Sequence, residues 1–429
     1  AEPHLSSGAR GAWVGRVPAR TRFDTSSPGS ILINRAFGMA WLFFAAAAVL
    51  GVILRVQMVR PIGNINYSYL LHAHSHVAFL GWIFNAFFAL SLRFFVGPDA
   101  APGFRGLFWL LQVAVFGMLV SYPLQGYAAW SISFSTLHMI GSGVFAWKLW
   151  KSDRVGPAAG GYLRVGLAFM LISGLGPLTL GPLAALGLRD SPGYTLAIYF
   201  YLHCQYNGWF MFFLQAVLLQ HLEERGQVIA THLVRRALAW SAAGCVLTFA
   251  LSTLWTGPAA WVRWIALAGG AAQVIGFGYF VAGLRPVTRY FASSWKNASV
   301  RLLTLAVGAY LLKLLLQYCG ALPGFAGLVN NRFVVIGFIH LIFLGIVTPL
   351  LVAWAIELGW IAWNRWVKLG LALYLGGALI TEATLAGQPW NRGGGPWANP
   401  APLLLGAAMV LAAGVLVLAG ARLLVARRT

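Results

Sequence analysis

Acidic side chains are nearly absent from this chain: nine Asp and Glu in 429 residues, beside thirty Lys and Arg. Charged residues of both signs make up only 9%, where soluble domains carry about 25%. That scarcity excludes an ordinary water-facing surface. Cysteine is equally sparse. Cys204, Cys245 and Cys319 form no CxxC pair, so neither a disulfide framework nor a thiolate metal site is expected. No convincing internal repeat is present.

What fills the sequence is apolar residue, 59% of the whole. Runs long enough to cross a bilayer recur from end to end. We expect twelve spans, roughly residues 31–56, 66–92, 104–123, 130–148, 165–187, 193–220, 237–254, 260–284, 301–319, 332–356, 366–384 and 401–421. The fold class expected is an all-α integral membrane bundle, one domain over residues 31–429. Residues 1–30 are polar and rich in Arg, Gly, Ser and Pro, and are expected to form a flexible basic tail. The first apolar run is too long for a signal peptide and no cleavage pattern follows it.

The net charge of +21 could suggest a nucleic-acid partner, but its distribution excludes one. With the N-terminus inside, 23 Lys and Arg fall on the inner side and six on the outer: Arg55, Arg60, Arg189, Arg263, Arg332 and Arg392. Lys313 falls within a span. That asymmetry is the positive-inside signature of a multi-pass cytoplasmic-membrane protein with both termini cytoplasmic. The partner it implies is the lipid bilayer.

The segment YSYLLHAHSHVAFLGWIFNAFF, from Tyr67, places three histidines at the head of a span with no charge from Leu70 to Leu92. Even-numbered spans run from outside to inside. His72, His74 and His76 then share a layer with His138 in the fourth span, His203 in the sixth and His340 in the tenth. At 1.5 Å per residue the layer lies roughly 9–15 Å below the outer surface. His4, His221 and His232 fall in the tail or an inner loop. Intramembrane ionisable residues are functional candidates by default. His72 and His76 share a helix face, while His74 points roughly 200° away. The run therefore serves two sides: an axial haem ligand on one, a metal or hydrogen-bonding pair on the other. Neutral imidazole suits haem iron, copper and zinc alike. A carboxylate-rich di-metal site is excluded, because Glu357 and Glu382 are expected at span ends and Asp190 in a loop.

Twelve spans with histidines in the second, sixth and tenth resemble subunit I of the haem-copper oxidase superfamily, which includes the nitric oxide reductases. HSHVAFLGWIFNAFF resembles the oxidase run in which a low-spin haem ligand precedes an Asn-Ala-Leu-Phe-type sequence by eleven residues, here His74 and Asn85. FIHLIFLG is similar to the family's His-x-His-Leu-x-x-x-Gly, with His340 in the position of the second low-spin ligand. HCQYNGW is similar to the reductases' His-Leu-Trp-Val-Glu-Gly. His203 then takes the copper-ligand position and Asn207 that of the glutamate. Phe338 replaces the high-spin haem ligand, and the seventh span lacks the His-His pair of the copper site. HAHSH and GFIHLIFLG also resemble the NnrS membrane proteins, which are associated with nitric oxide stress. The resemblance implies a low-spin haem b site at His74 and His340, with a second haem or copper as a further occupant. It also implies a bacterial inner membrane and a cytochrome c or other redox subunit on the outer side.

Haem propionates need cations. Arg392 in PWNRGGGPW, Arg60 in RPIGNINY and Arg332 in NNRF are the candidates, with snorkelling to headgroups as the plain alternative. Lys313 and Gln317 form an i, i+4 polar pair, suited to a propionate contact or a buried hydrogen bond. Three readings stay open. The first is a degenerate oxidase-like haem protein in electron transfer or in nitric oxide or redox response. The second is a reductase of nitric oxide or oxygen with a metal at His72, His76 and His203, joined by His138. The third is a non-haem transporter or scaffold.

Overall fold

The computed structural model describes residues 27–329, 331–390 and 399–426. Those residues form helices and connections, with no strand among them. Ten helical rods are long and apolar enough to cross a membrane. They are α1 Pro28–Val59, α2 Tyr67–Val96, α3 Ala101–Gln125, α5 Ala159–Ala185, α7 Thr231–Thr256, α8 Ala260–Gly283, α9 Asn297–Gly320, α10 Arg332–Glu357, α11 Arg365–Trp390 and α12 Ala401–Leu423. Two more rods complete the set. One is α4, Ala129–Trp150. The other is α6, which runs through Pro192–His203, Cys204–Phe210 and Met211–Glu224. Both coincide with expected spans but are more polar. α4 carries Ser131, Ser133, Ser135, Thr136, His138 and Ser142; α6 carries His203, Gln205, Asn207 and Gln215. The expectation of twelve spans is therefore met by ten on length and apolarity.

Each rod packs against its successor in the chain, and α12 packs against α1, so the bundle closes on itself. Small residues set the tightest crossings, as is general where lipid removes the hydrophobic drive between helices. A methyl group added at Gly269 of α8 would meet the α7 backbone near Leu247 and Thr248, and one at Gly377 of α11 would meet the backbone of α12. α2 is the most enclosed span. Its inner half packs Phe84, Phe87, Phe88, Phe94 and Phe95 into the main apolar core, with Phe87 stacked 4.2 Å from Phe213 of α6.

Three of the histidine-bearing helices, α2, α6 and α10, share two local features. Each starts on a polar cap, the residue type that satisfies first-turn N–H groups. Asn66 accepts from Ser68 N and Tyr69 N, Ser191 from Tyr194 N, and Asn331 from Phe333 N. Each then changes to π-helix directly after its histidine: Val77–Ile83 after His76, Cys204–Phe210 after His203 and Leu341–Val347 after His340. A π segment re-aims the side chains around it and commonly sits at functional sites. It also disturbs the carbonyl ladder, and side chains attend to two of the carbonyls involved. Asn85 Nδ2 donates to Gly81 O at 2.8 Å, and the Tyr374 hydroxyl to Leu344 O at 2.8 Å.

α6 also runs longer than expected, to Glu224. His221, expected in an inner loop, is instead buried in its last turns. It bonds to the Tyr290 hydroxyl at 2.9 Å and receives the Trp295 indole N–H at 3.4 Å.

Candidate functional site

His74 turns toward α1. Its Nδ1 lies 2.9 Å from the Ala47 carbonyl, which can only accept, so Nδ1 carries the proton and Nε2 keeps its lone pair. Gly51, one turn further along α1, permits the approach: a Cβ there would sit 3.2 Å from His74 Cε1. A carbonyl that fixes the tautomer in this way is the usual support of a metal-binding imidazole.

His340 makes no hydrogen bond through either ring nitrogen among the described residues, and its Nδ1 is buried without a partner. The group facing it is Glu382 of α11, whose Oε1 lies 3.9 Å from Nδ1 and is likewise buried without a partner. This corrects the expectation that no carboxylate reaches the histidine layer. The eleventh span, expected to end near residue 384, continues as helix to Gly387 and a final turn to Trp390. Glu382 is thereby drawn inward to the level of His340. His74 and His340 lie within electrostatic range of each other, and both of Arg55.

α2 and α10 are tied directly. The Trp82 indole N–H donates to Thr348 Oγ1 at 3.1 Å in the buried interior, and Phe79 meets Phe343 at 4.5 Å between ring centres. Asn85, expected to accompany His74, is buried and accepts from Gln112 Nε2 at 2.7 Å, which locks α2 to α3.

The opposite face of α2 is occupied differently. His72 and His76 do share a side, and that side meets α3 and the turn into α4. His76 donates through Nδ1 to His72 O at 2.9 Å, leaving Nε2 to accept from the hydroxyl of Tyr122 at 3.1 Å or Tyr127 at 3.4 Å. Tyr122 also contacts Ser135 at 2.8 Å. His72 meets Ser68 Oγ at 3.3 Å and packs on the Tyr127 ring. His138 is buried, with Nδ1 3.1 Å from Ser142 Oγ and its ring against Phe84.

His203 belongs to a third environment. Its Nε2 donates to Cys245 O at 2.7 Å and its Nδ1 accepts from Asn207 Nδ2 at 3.1 Å. As folded, neither nitrogen is free for a metal. The polar contacts continue across α7 to α9: Thr248 Oγ1 donates to Cys245 O, Gln273 Nε2 donates to Thr248 Oγ1 at 3.1 Å, and Lys313 Nζ donates to Gln273 Oε1 at 3.4 Å. Lys313 therefore bonds to α8 and not to Gln317, whose Oε1 is buried without a partner. Phe338 packs edge-on to Tyr206 at 6.1 Å. Among the described residues no three His, Cys, Asp or Glu side chains gather in a way that could hold a metal ion.

Of the arginines expected to meet propionates, Arg60 and Arg332 are exposed at the start of the loop after α1 and at the start of α10. Arg392 lies outside the described residues. Arg55, one of the six outer arginines, is not among those expected to meet propionates. It is half-buried near the end of α1, within electrostatic range of Tyr67 and Arg332 as well as of both histidines. Two guanidinium groups in one neighbourhood favour an anion between them. Its signal was its place inside the first apolar helix, four residues before the chain turns at Val59.

No protein-family model matches the sequence, and no curated protein matches it. The fold does have a counterpart among solved structures. A haem-copper terminal oxidase dimer, determined by cryo-electron microscopy, superposes with a TM-score of 0.62 at 14% identity, covering 94% of this chain and 84% of that one. The chain is a multi-pass, all-helical membrane protein with the fold of a haem-copper terminal oxidase subunit.

Proposed function

We propose that this protein holds one low-spin haem b between His74 and His340 and works in electron transfer or in a redox or nitric oxide response at the outer side of a bacterial cytoplasmic membrane. The observation that carries the reading is the state of the two rings. His74 has its proton committed to Ala47 O, and among the described residues its Nε2 and both nitrogens of His340 have no hydrogen-bond partner. The donor set fits a bis-imidazole haem. Arg55 and Arg332 supply positive charge on the same side for the propionates, with Arg60 and Arg392 as outlying candidates.

A haem held by these two imidazoles would supply one-electron transfer. The chain's own residues account for the rest. Ala47 O and Gly51 orient His74. Trp82 and Thr348 fix the spacing of α2 against α10 from below. The aromatic core beneath them excludes water. We read the cluster of His203, Asn207 and Cys245 as a hydrogen-bonded remnant without copper, and the cluster of His72, His76 and His138 as structural. On this reading all twelve rods cross the membrane, both ends are cytoplasmic by the charge asymmetry, and the electron partner is a cytochrome c or another redox subunit docking on the outer side. The test is a pyridine haemochrome assay with copper analysis on purified protein. The reading expects haem b at one per chain and no stoichiometric copper; protein without haem from haem-replete cells contradicts it.

A further inference from the structure

A carboxylate inside an apolar bundle is costly unless it serves a partner. Glu382 is a half-buried group of this kind, about a quarter of its side chain exposed but one carboxyl oxygen enclosed. Its Oε1 and the Nδ1 of His340 face each other at 3.9 Å, both buried and both without a hydrogen bond. Two orphaned polar atoms this close call for a joint explanation. The other oxygen, Oε2, lies over Gly337, 3.5 Å from where a Cβ would be. Gly337 and His340 share a face of α10, so the carboxylate spans that face with room left by the glycine.

We propose that Glu382 is a positioning residue for His340: its carboxylate accepts the Nδ1–H, fixes the ring so that Nε2 points away from α11, and donates negative character to the imidazole that sets the haem potential. The inference rests on the bis-histidine reading. It adds that the two axial ligands are not equivalent. His74 is held by a neutral carbonyl, Ala47 O, whereas His340 is held by a carboxylate. Hydrogen bonding to a carboxylate raises ligand basicity more than bonding to an amide carbonyl, which stabilises the oxidised metal. Closing the present gap to bonding distance takes a movement of about 1 Å, within reach of a glutamate side chain that is packed but not bonded.

The experiment measures the haem midpoint potential of the full-length protein as wild type, Glu382→Gln and Glu382→Leu. Gln keeps an acceptor oxygen of the same reach and loses the charge. The proposal expects Glu382→Gln to bind haem at the wild-type level and to shift the one-electron equilibrium toward the reduced form at least tenfold, which is about 59 mV upward. Glu382→Leu should move in the same direction and retain haem less firmly. A purely structural Glu382 would give wild-type potential in the Gln variant, and that result overturns the proposal while leaving the haem reading intact. Absence of haem from the wild type overturns the haem reading itself. The wild type also provides a check that needs no variant. Its redox-induced infrared difference spectrum should contain a carboxyl band that moves when the protein is labelled with 13C-glutamate. A spectrum without a glutamate band contradicts the proposal even if both variants fail to fold.

Discussion

In α6 the His203 ring is closed on both sides. One nitrogen donates to Cys245 O and the other accepts from Asn207. In α10 the His340 ring is open on both sides, with a carboxylate waiting at 3.9 Å. The two helices are otherwise built alike, with a polar cap, the histidine about two to three turns in, then a seven-residue π segment. The difference lies in the partners that neighbouring helices bring. α7 presents Cys245 and Thr248 where a metal site would need more imidazoles, so His203 is satisfied by protein alone. α10 instead faces α2 and α11, which leave its ring nitrogens unmatched among the described residues, while α1 brings the positive charge of Arg55 within electrostatic range. The comparison teaches that shared local architecture does not make a site. His138, whose Nε2 is also buried without a partner, shows that an unmatched nitrogen alone does not mark a site; at His340 the unmatched nitrogen faces a carboxylate, and at His203 nothing is left unmatched.

Substitutions can break that contrast. The largest effect is expected at the open pair: His74→Ala or His340→Ala should abolish haem retention, read as loss of the Soret band in purified protein. Equal loss in His203→Ala would erase the distinction drawn here. Next is Arg55→Gln. Removing a cation near both ligands disfavours the reduced, less positive centre, so the midpoint potential should fall, by about 59 mV for a tenfold change in the one-electron equilibrium. An unmoved potential assigns Arg55 to headgroups. At the closed site, His203→Ala should leave haem content and potential unchanged. It should lower stability by about 1–3 kcal/mol for each buried group left unpaired, seen as a lower unfolding midpoint in detergent. The smallest effect is expected from Tyr122→Phe, which removes one donor to His76 Nε2. A loss of about 0.5–1.5 kcal/mol is expected, with no spectral change; a shifted haem spectrum would move the His72 and His76 face into the site.

Much of this architecture was legible in the sequence. Hydropathy located the rods because bilayer thickness sets helix length, and the i, i+4 spacing correctly put His72 and His76 on one face and His74 on the other. Three features were not legible, for physical reasons. Apolar runs end before their helices do. α1 continues past residue 56 to Val59 and α11 past 384 to Trp390, so Arg55 and Glu382 looked peripheral although Glu382 faces His340 at 3.9 Å and Arg55 lies within electrostatic range of both histidines. π segments have no side-chain period of their own in this sequence: VAFLGWI and LIFLGIV read as ordinary apolar helix. One partner of His203 is a backbone carbonyl of α7, Cys245 O, which is distant in sequence and leaves no residue signature. Lys313 illustrates the same limit. Its i, i+4 neighbour Gln317 was the obvious partner, yet the bond goes to Gln273 across the helix interface.

The central claim is that the open pair of rings holds haem iron and the closed ring holds nothing. Optical and electron paramagnetic resonance spectra of the purified, full-length protein test it most directly. The account predicts a single haem b per chain, six-coordinate and low-spin in both oxidation states, unreactive toward carbon monoxide, with no copper signal. A colourless protein, or a high-spin haem that binds carbon monoxide, would contradict it.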